Sequence, residues 1–178
     1  FSILLALESG YQAALMAPTE ILAEQHARGL GELLEPLDVS VCLLTGSMGS
    51  GERRSTLAAL ADGTAKVVIG THALIQEKVE FQKLGLVVVD EQHRFGVRQR
   101  LVLVEKDSHP DVLVMSATPI PRSMAMALYG DLDLSILGEL PPGRNPVETT
   151  LKTPRGRKGI YAFLDKEMEA GRQVYVVY

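Results

Sequence analysis

Five short apolar runs punctuate the first two thirds of the chain: AALMA (13–17), SVCLL (40–44), KVVIG (66–70), LVVVD (86–90) and VLVMS (112–116). Their apolar residues stand on consecutive rather than alternate positions, so each run supplies both faces of a pleated strand. That pattern predicts a parallel sheet covered on both sides by helices. Helical stretches lie between the runs. TEILAEQHARGLGELL (19–34) carries Ile21, Leu22, Gln25, Leu30, Leu33 and Leu34 at mixed spacings of three and four, with Thr19 placed to cap its start. GERRSTLAALADG (51–63) puts Leu57 and Leu60 on one face and stops at Gly63, and SMAMALYG (123–130) follows two prolines and also ends at a glycine. Alternating strands and helices of these lengths predict right-handed βαβ units and an α/β, doubly wound parallel sheet.

The rhythm changes at GELPPGRNP (138–146), where three prolines and two glycines favour an exposed linker. Beyond it, VETTLKT (147–153) and QVYVVY (173–178) predict strands on either side of a helix, GRKGIYAFLDKEMEAG (156–171). The opening FSILLALESG has the pattern of the rear of a helix, and the last apolar run stops mid-element, so both ends are expected to be cut from something longer.

Composition narrows the class without fixing a partner. The 178 residues are 46% hydrophobic and 22% charged, with a mean hydropathy of +0.11, which predicts a globular chain. No apolar run nears the roughly 20 residues that span a bilayer. The opening also lacks the basic leader and small-residue cleavage site of a signal peptide. Cys42 is the only cysteine, read as a core residue in a reducing cytoplasm. A net charge of −4 argues against a uniformly basic nucleic-acid coat, although backbone groups and local arginines still bind phosphates.

In open parallel sheets ligands bind beyond the carboxyl ends of the strands, and four predicted strand ends carry polar residues there: Thr19, Thr71 with His72, Asp90 with Glu91, and Ser116 with Thr118. An apolar strand ending in Asp-Glu resembles the Walker B element of nucleotide hydrolases. In that element the first carboxylate holds Mg2+, usually through water, and the second orients or deprotonates the attacking water. The alternative is a solvated strand end before a helix, where acids gain about 0.3–1 kcal/mol.

Longer strings favour the first reading. MAPTEILAEQH, VVVDEQH and VMSATPIPR resemble motifs Ia, II and III of superfamily-two helicases, in that order. DEQHRFGVRQR, THALIQEKVEF and MSATPIPRSMAMALYGDLDLSILGELPPGR look like the RecG family of branched-DNA helicases, over essentially the whole chain. The transcription-repair coupling factor is the nearest competitor, similar through HRFGV and ATPIPR. The resemblance implies a RecA-like (P-loop NTPase) fold. Residues 1–140 would be most of the first motor domain, without its first strand and Walker A loop, 141–146 a linker, and 147–178 the start of the second motor domain. It implies ATP and Mg2+ as cofactors, with Asp90 holding the ion, Glu91 acting on water, and Gln92 and His93 completing motif II. Ser116, Ala117 and Thr118 would couple hydrolysis to movement. Pro18, Thr19, Thr45, Gly46, Thr71 and His72 would touch the DNA backbone, where the alternative for each is an ordinary cap or turn. Forks and Holliday junctions would be the DNA partner, with single-stranded-DNA-binding protein as a further one, no membrane, and a bacterial cytoplasmic, nucleoid-associated setting.

The arginines are less specific. Arg94, Arg98 and Arg100 fit a solvated helix face, Arg122 sits in PIPR, and Arg53 and Arg54 read as surface charge. His26, His72, His93 and His109 lie too far apart for zinc spacing. No Gly-x-x-x-x-Gly-Lys-Ser/Thr occurs, and GSMGSGERRS (46–55) has glutamate where that loop needs lysine. The segment alone is therefore expected not to hydrolyse ATP efficiently, and a non-catalytic motor remnant that binds DNA or protein is the other reading.

Overall fold

Each of the five apolar runs forms a strand, within two residues of the expected bounds at either end. The computed structural model describes residues 1–76, 79–91, 109–117, 133–139, 143 and 147–177. Gln92, His93 and Thr118, the arginines 94, 98, 100 and 122, the helix expected over 123–130 and most of the expected linker lie outside them. The chain divides into two compact units, Phe1–Gly130 and Asp131–Tyr178.

In the first unit α1 (Ser2–Glu8) leads into β1 (Gln12–Met16), α2 (Glu20–Leu34), β2 (Val41–Leu44), α3 (Ser50–Ala61), β3 (Val67–Gly70), β4 (Leu84–Val89) and β5 (Asp111–Val114). The sheet order is β2-β3-β1-β4-β5, and every pairing is parallel. Consecutive apolar positions do what the pleat requires. Ala14, Met16, Val68, Val87 and Val89 face one layer with Leu60 and Leu74, while Ala13, Leu15, Val67, Ile69, Leu86 and Val88 face the other with Ile3, Ala23 and Leu34. Helices on both faces of a parallel sheet make the doubly wound α/β arrangement, and each large side chain buried this way contributes about 1.5–3 kcal/mol.

Two local features set close packing. A Cβ at Gly70 would stand 2.2 Å from the Leu44 carbonyl oxygen, so only glycine lets the end of β3 approach β2. The β1–β4 register shifts between Gln12 and Ala13, whose partners are Leu84 and Leu86. At the skipped Gly85 a Cβ would collide with the Tyr11 side chain at 2.5 Å. Beside this irregularity Gln12 is buried. Its amide donates to the carbonyls of Leu60 (2.9 Å) and Ala65 (2.7 Å) and its oxygen accepts the Lys83 N–H (2.9 Å).

Several expectations are corrected. Ile21 and Leu33 of α2 are 70% and 72% exposed, because the helix rests on β2 and β3 through a narrow stripe centred on Ala23, whose small side chain permits close approach. In β5 Asp111 and Leu113 are exposed and Val112 and Val114 half-buried. Among the described residues β5 pairs with β4 alone, and along it exposed and half-buried positions alternate. Cys42 is half-buried, packed against one core layer, and that burial pushes its thiol pKa up.

In the second unit α4 (Arg157–Glu169), entered through a 3-10 turn at Pro154–Gly156, has no buried residue. The strands expected over 147–153 and 173–178 are absent from the described residues there. A strand needs a neighbour to complete its hydrogen-bond ladder, and among the described residues of this unit there is none. No described helix is long and apolar enough to cross a membrane.

Candidate functional site

The polar strand ends converge along the carboxyl edge of the sheet because the ladders run on past the last strand residues. The Ala17 N–H donates to the Gly70 carbonyl (2.8 Å), Asp90 N–H to Met16 (2.9 Å), Met115 N–H to Val89 (2.8 Å) and Thr71 N–H to Leu44 (3.4 Å). These bonds fix, side by side, the turns that carry Pro18-Thr19, Thr45-Gly46, Thr71-His72, Asp90-Glu91 and Ser116-Ala117. Thr19 ends the turn after β1 in extended backbone and its hydroxyl accepts the Leu22 N–H at 3.3 Å, starting α2. It is therefore a cap by structure, with an exposed residue surface left over.

Asp90 follows four consecutive valine or leucine residues of β4, whose burial anchors the strand that carries it. One carboxylate oxygen, Oδ1, accepts the Glu91 N–H at 2.9 Å; the other, Oδ2, lies 2.7 Å from His26 Nε2 of α2. Glu91 stands in left-handed backbone at φ 49, a conformation uncommon for a residue with a Cβ and concentrated at functional turns. The Asp90 side chain is 20% exposed, and each carboxylate oxygen keeps a lone pair beyond these bonds. Such an oxygen donor suits Mg2+, which retains most of its water shell and takes one or two carboxylates plus substrate phosphates. Among the described residues no cluster of three or more His, Cys, Asp or Glu forms a metal cage.

A second network joins the turns after β1, β2 and β3. Glu20, at the start of α2, accepts the Ser47 N–H (3.1 Å) and the Ser47 hydroxyl (2.6 Å). The Ser47 hydroxyl and then its N–H hold the Glu20 carboxyl below its usual pKa, with lesser help from Gly46 N–H and the nearby His72. Arg53 of α3 donates to the Thr45 carbonyl (3.2 Å) and to Gln76 Oε1 (2.6 Å). Thr45 and Thr71 themselves are buried, at 4% and 3% exposure. The Thr71 hydroxyl has no hydrogen-bond partner among the described residues. Gly46, Ser47 and His72 are exposed beside them.

A family model described as DEAD/DEAH box helicase matches residues 1–127. The chain belongs to the DEAD/DEAH box helicase family. Curated relatives extend the match to the whole chain. The ATP-dependent DNA helicase RecG of Synechocystis sp. is 53% identical over 178 residues, covering 100% of this chain and 21% of that protein. The protein of the same name from Bacillus subtilis is 52% identical over 172 residues, covering 97% of this chain and 25% of its own length. A solved structure of RecG bound to a three-way DNA junction superposes with a TM-score of 0.80 at 47% identity, over 95% of this chain and 22% of that one. The RecG resemblance and the RecA-like fold read from the motifs are thus borne out, and the chain spans about a fifth to a quarter of these relatives.

Within this helicase segment, Pro18, Thr19, Thr45, Gly46, Thr71, His72, Asp90, Glu91, Ser116 and Ala117 all lie at the carboxyl edge of the sheet. Three contributors were missed: His26, noted only as unsuited to zinc, Glu20, and Arg53, read as surface charge. Glu20 and Ser47 are 27 residues apart and His26 and Asp90 are 64 apart, so no local spacing could announce either pair.

Proposed function

We propose that this chain is part of the motor of a longer ATP-dependent DNA helicase that remodels branched DNA, forks and Holliday junctions, in recombination and repair. Residues 1–140 would be most of the first motor domain, 141–146 a linker and 147–178 the beginning of the second. The observation that carries the reading is the placement of Asp90 and Glu91 at the carboxyl end of β4, anchored to the end of β1 by the 2.9 Å bond from Asp90 N–H to Met16. Support comes from relatives named ATP-dependent DNA helicase RecG and from a RecG structure bound to a three-way junction.

In this reading Asp90 would hold Mg2+, and Glu91 would orient the water that attacks the terminal phosphate. Bound Mg2+ supplies neutralisation of charge on the phosphate oxygens. Gln92 and His93 complete the motif, and Ser116, Ala117 and Thr118 pass the change in the nucleotide cleft to the DNA-bearing turns. Thr19, Gly46 and His72 are the exposed members of the DNA edge, with backbone N–H groups, a hydroxyl and an imidazole suited to phosphate oxygens. Pro18, Thr45 and Thr71 shape it from beneath. The bacterial cytoplasm, and contact with single-stranded-DNA-binding protein, belong to the same proposal.

Glu91→Gln in the full-length protein tests it. Removing a general base costs on the order of 10²–10⁴-fold, so junction-stimulated ATP turnover collapses while junction affinity, measured by fluorescence anisotropy, is retained. Unchanged turnover would overturn the role of Glu91, and turnover unaffected by DNA in the unsubstituted protein would overturn the motor reading itself.

A further inference from the structure

The catalytic reading leaves one contact without a task. His26 Nε2 lies 2.7 Å from Asp90 Oδ2, with the imidazole 31% and the carboxylate 20% exposed. The two residues come from different elements, α2 and the end of β4. The other Asp90 oxygen is taken by the Glu91 N–H, a bond within the same turn that holds the carboxylate to its own backbone only. His26 is thus the described group that fixes Asp90 to the helical layer. It stands two turns into α2, and seven residues of helix place it about 10 Å along the axis from Thr19.

We propose that His26 is a positioning residue: it fixes the rotamer of the Asp90 carboxylate and ties it to α2, the helix that begins at the Thr19 edge. The inference rests on the reading of Asp90 as the Mg2+ holder and of Thr19 as a DNA contact. Helix α2 is a stiff rod with Ala23 buried against the sheet. A shift of its first turn on DNA binding therefore moves the imidazole as one body with it, and the carboxylate follows through a single hydrogen bond. Partners that hydrogen-bond a metal-holding carboxylate set its orientation, and their loss costs about 10–100-fold in metal affinity or activity.

The test uses the full-length protein with His26→Leu, which keeps bulk without a donor, and His26→Gln, whose amide keeps a donor at similar reach. The first readout needs no turnover: the Mg2+ concentration at which a fluorescent ADP analogue reaches half of its Mg2+-dependent binding. The second is kcat and KM for ATP with and without a three-way DNA junction. His26→Leu is expected to raise the Mg2+ midpoint about tenfold and lower the junction-stimulated kcat about tenfold. Junction affinity should move less than about threefold, and His26→Gln should return both affected quantities to within about threefold of the original. If His26→Leu does not fold, His26→Asn, too short to reach Oδ2, replaces it with the same expectations. A wild-type midpoint and stimulation in the donor-less variant would overturn the proposal, as would a Gln variant as impaired as Leu. Failure here alongside collapse in Glu91→Gln removes only the role of His26; an unaffected Glu91→Gln removes the reading beneath it.

Discussion

Val87, Val88 and Val89 in the first unit and Val176 and Val177 in the second are chemically the same residues in similar apolar runs. The first three are 1%, 4% and 1% exposed and the latter two 68% and 94%. Both runs read as strands by pattern. β4 becomes one because β1 and β5 flank it and both its faces are covered, so its backbone groups are paired and its side chains leave water together. The run at 173–177 has no strand beside it among the described residues, and α4 likewise leaves Tyr161 and Phe163 each 59% exposed. An apolar pattern is a capacity for burial, and neighbours decide whether it is realised.

The sharpest way to break this comparison is to delete apolar volume in each unit of the 178-residue chain. Leu60→Ala, at a side chain of 0% exposure, should cost about 2–5 kcal/mol in urea unfolding, whereas Phe163→Ala should stay within about 0.5 kcal/mol. A loss at Phe163 comparable to that at Leu60 would mean the ring is covered after all. The polar counterpart is smaller. Gln12→Leu strips the partners from two carbonyls and one N–H in the core of the first unit, and should lower stability by about 2 kcal/mol. Amide exchange at Lys83 should accelerate before that of β3, a pattern a purely apolar role would not produce.

Smallest is the electrostatic contrast. The Glu20 carboxyl is held low across a tertiary contact with Ser47, whereas Glu167 is held low by Arg172, its neighbour along the chain. A carboxyl depressed in the folded state contributes stability that is present above its unfolded pKa and lost as pH falls through the folded value. Ser47→Ala should therefore raise the Glu20 midpoint toward the ordinary range in a carboxyl NMR titration and leave Glu167 unmoved. Movement of both would show that the two shifts are not separable.

Much of the first unit was legible because it is written in short-range terms. Consecutive apolar residues mark strands buried on both faces, Thr19 marks a helix start, and Asp90-Glu91 stands where an α/β sheet keeps its ligands. The order β2-β3-β1-β4-β5 was not legible, since five similar runs carry no label for their neighbours. Nor were the pairs His26–Asp90 and Glu20–Ser47, which exist only after that order is set. Arg53 shows the same limit from the other side: an arginine on a polar helix face is surface charge until a carbonyl and an amide from two different turns arrive within reach.

Gln12 has a consequence for how the chain finds its fold. Because β1 is apolar on both faces, a slip of one residue would still bury apolar side chains, and hydrophobicity penalises the error only weakly. The amide of Gln12 matches three backbone groups, from the end of α3, from Ala65 two residues before β3 and from the residue before β4, in one alignment alone. A buried polar side chain at the first position of the central strand therefore acts as a proofreader, rejecting misthreaded sheets that the apolar core would accept.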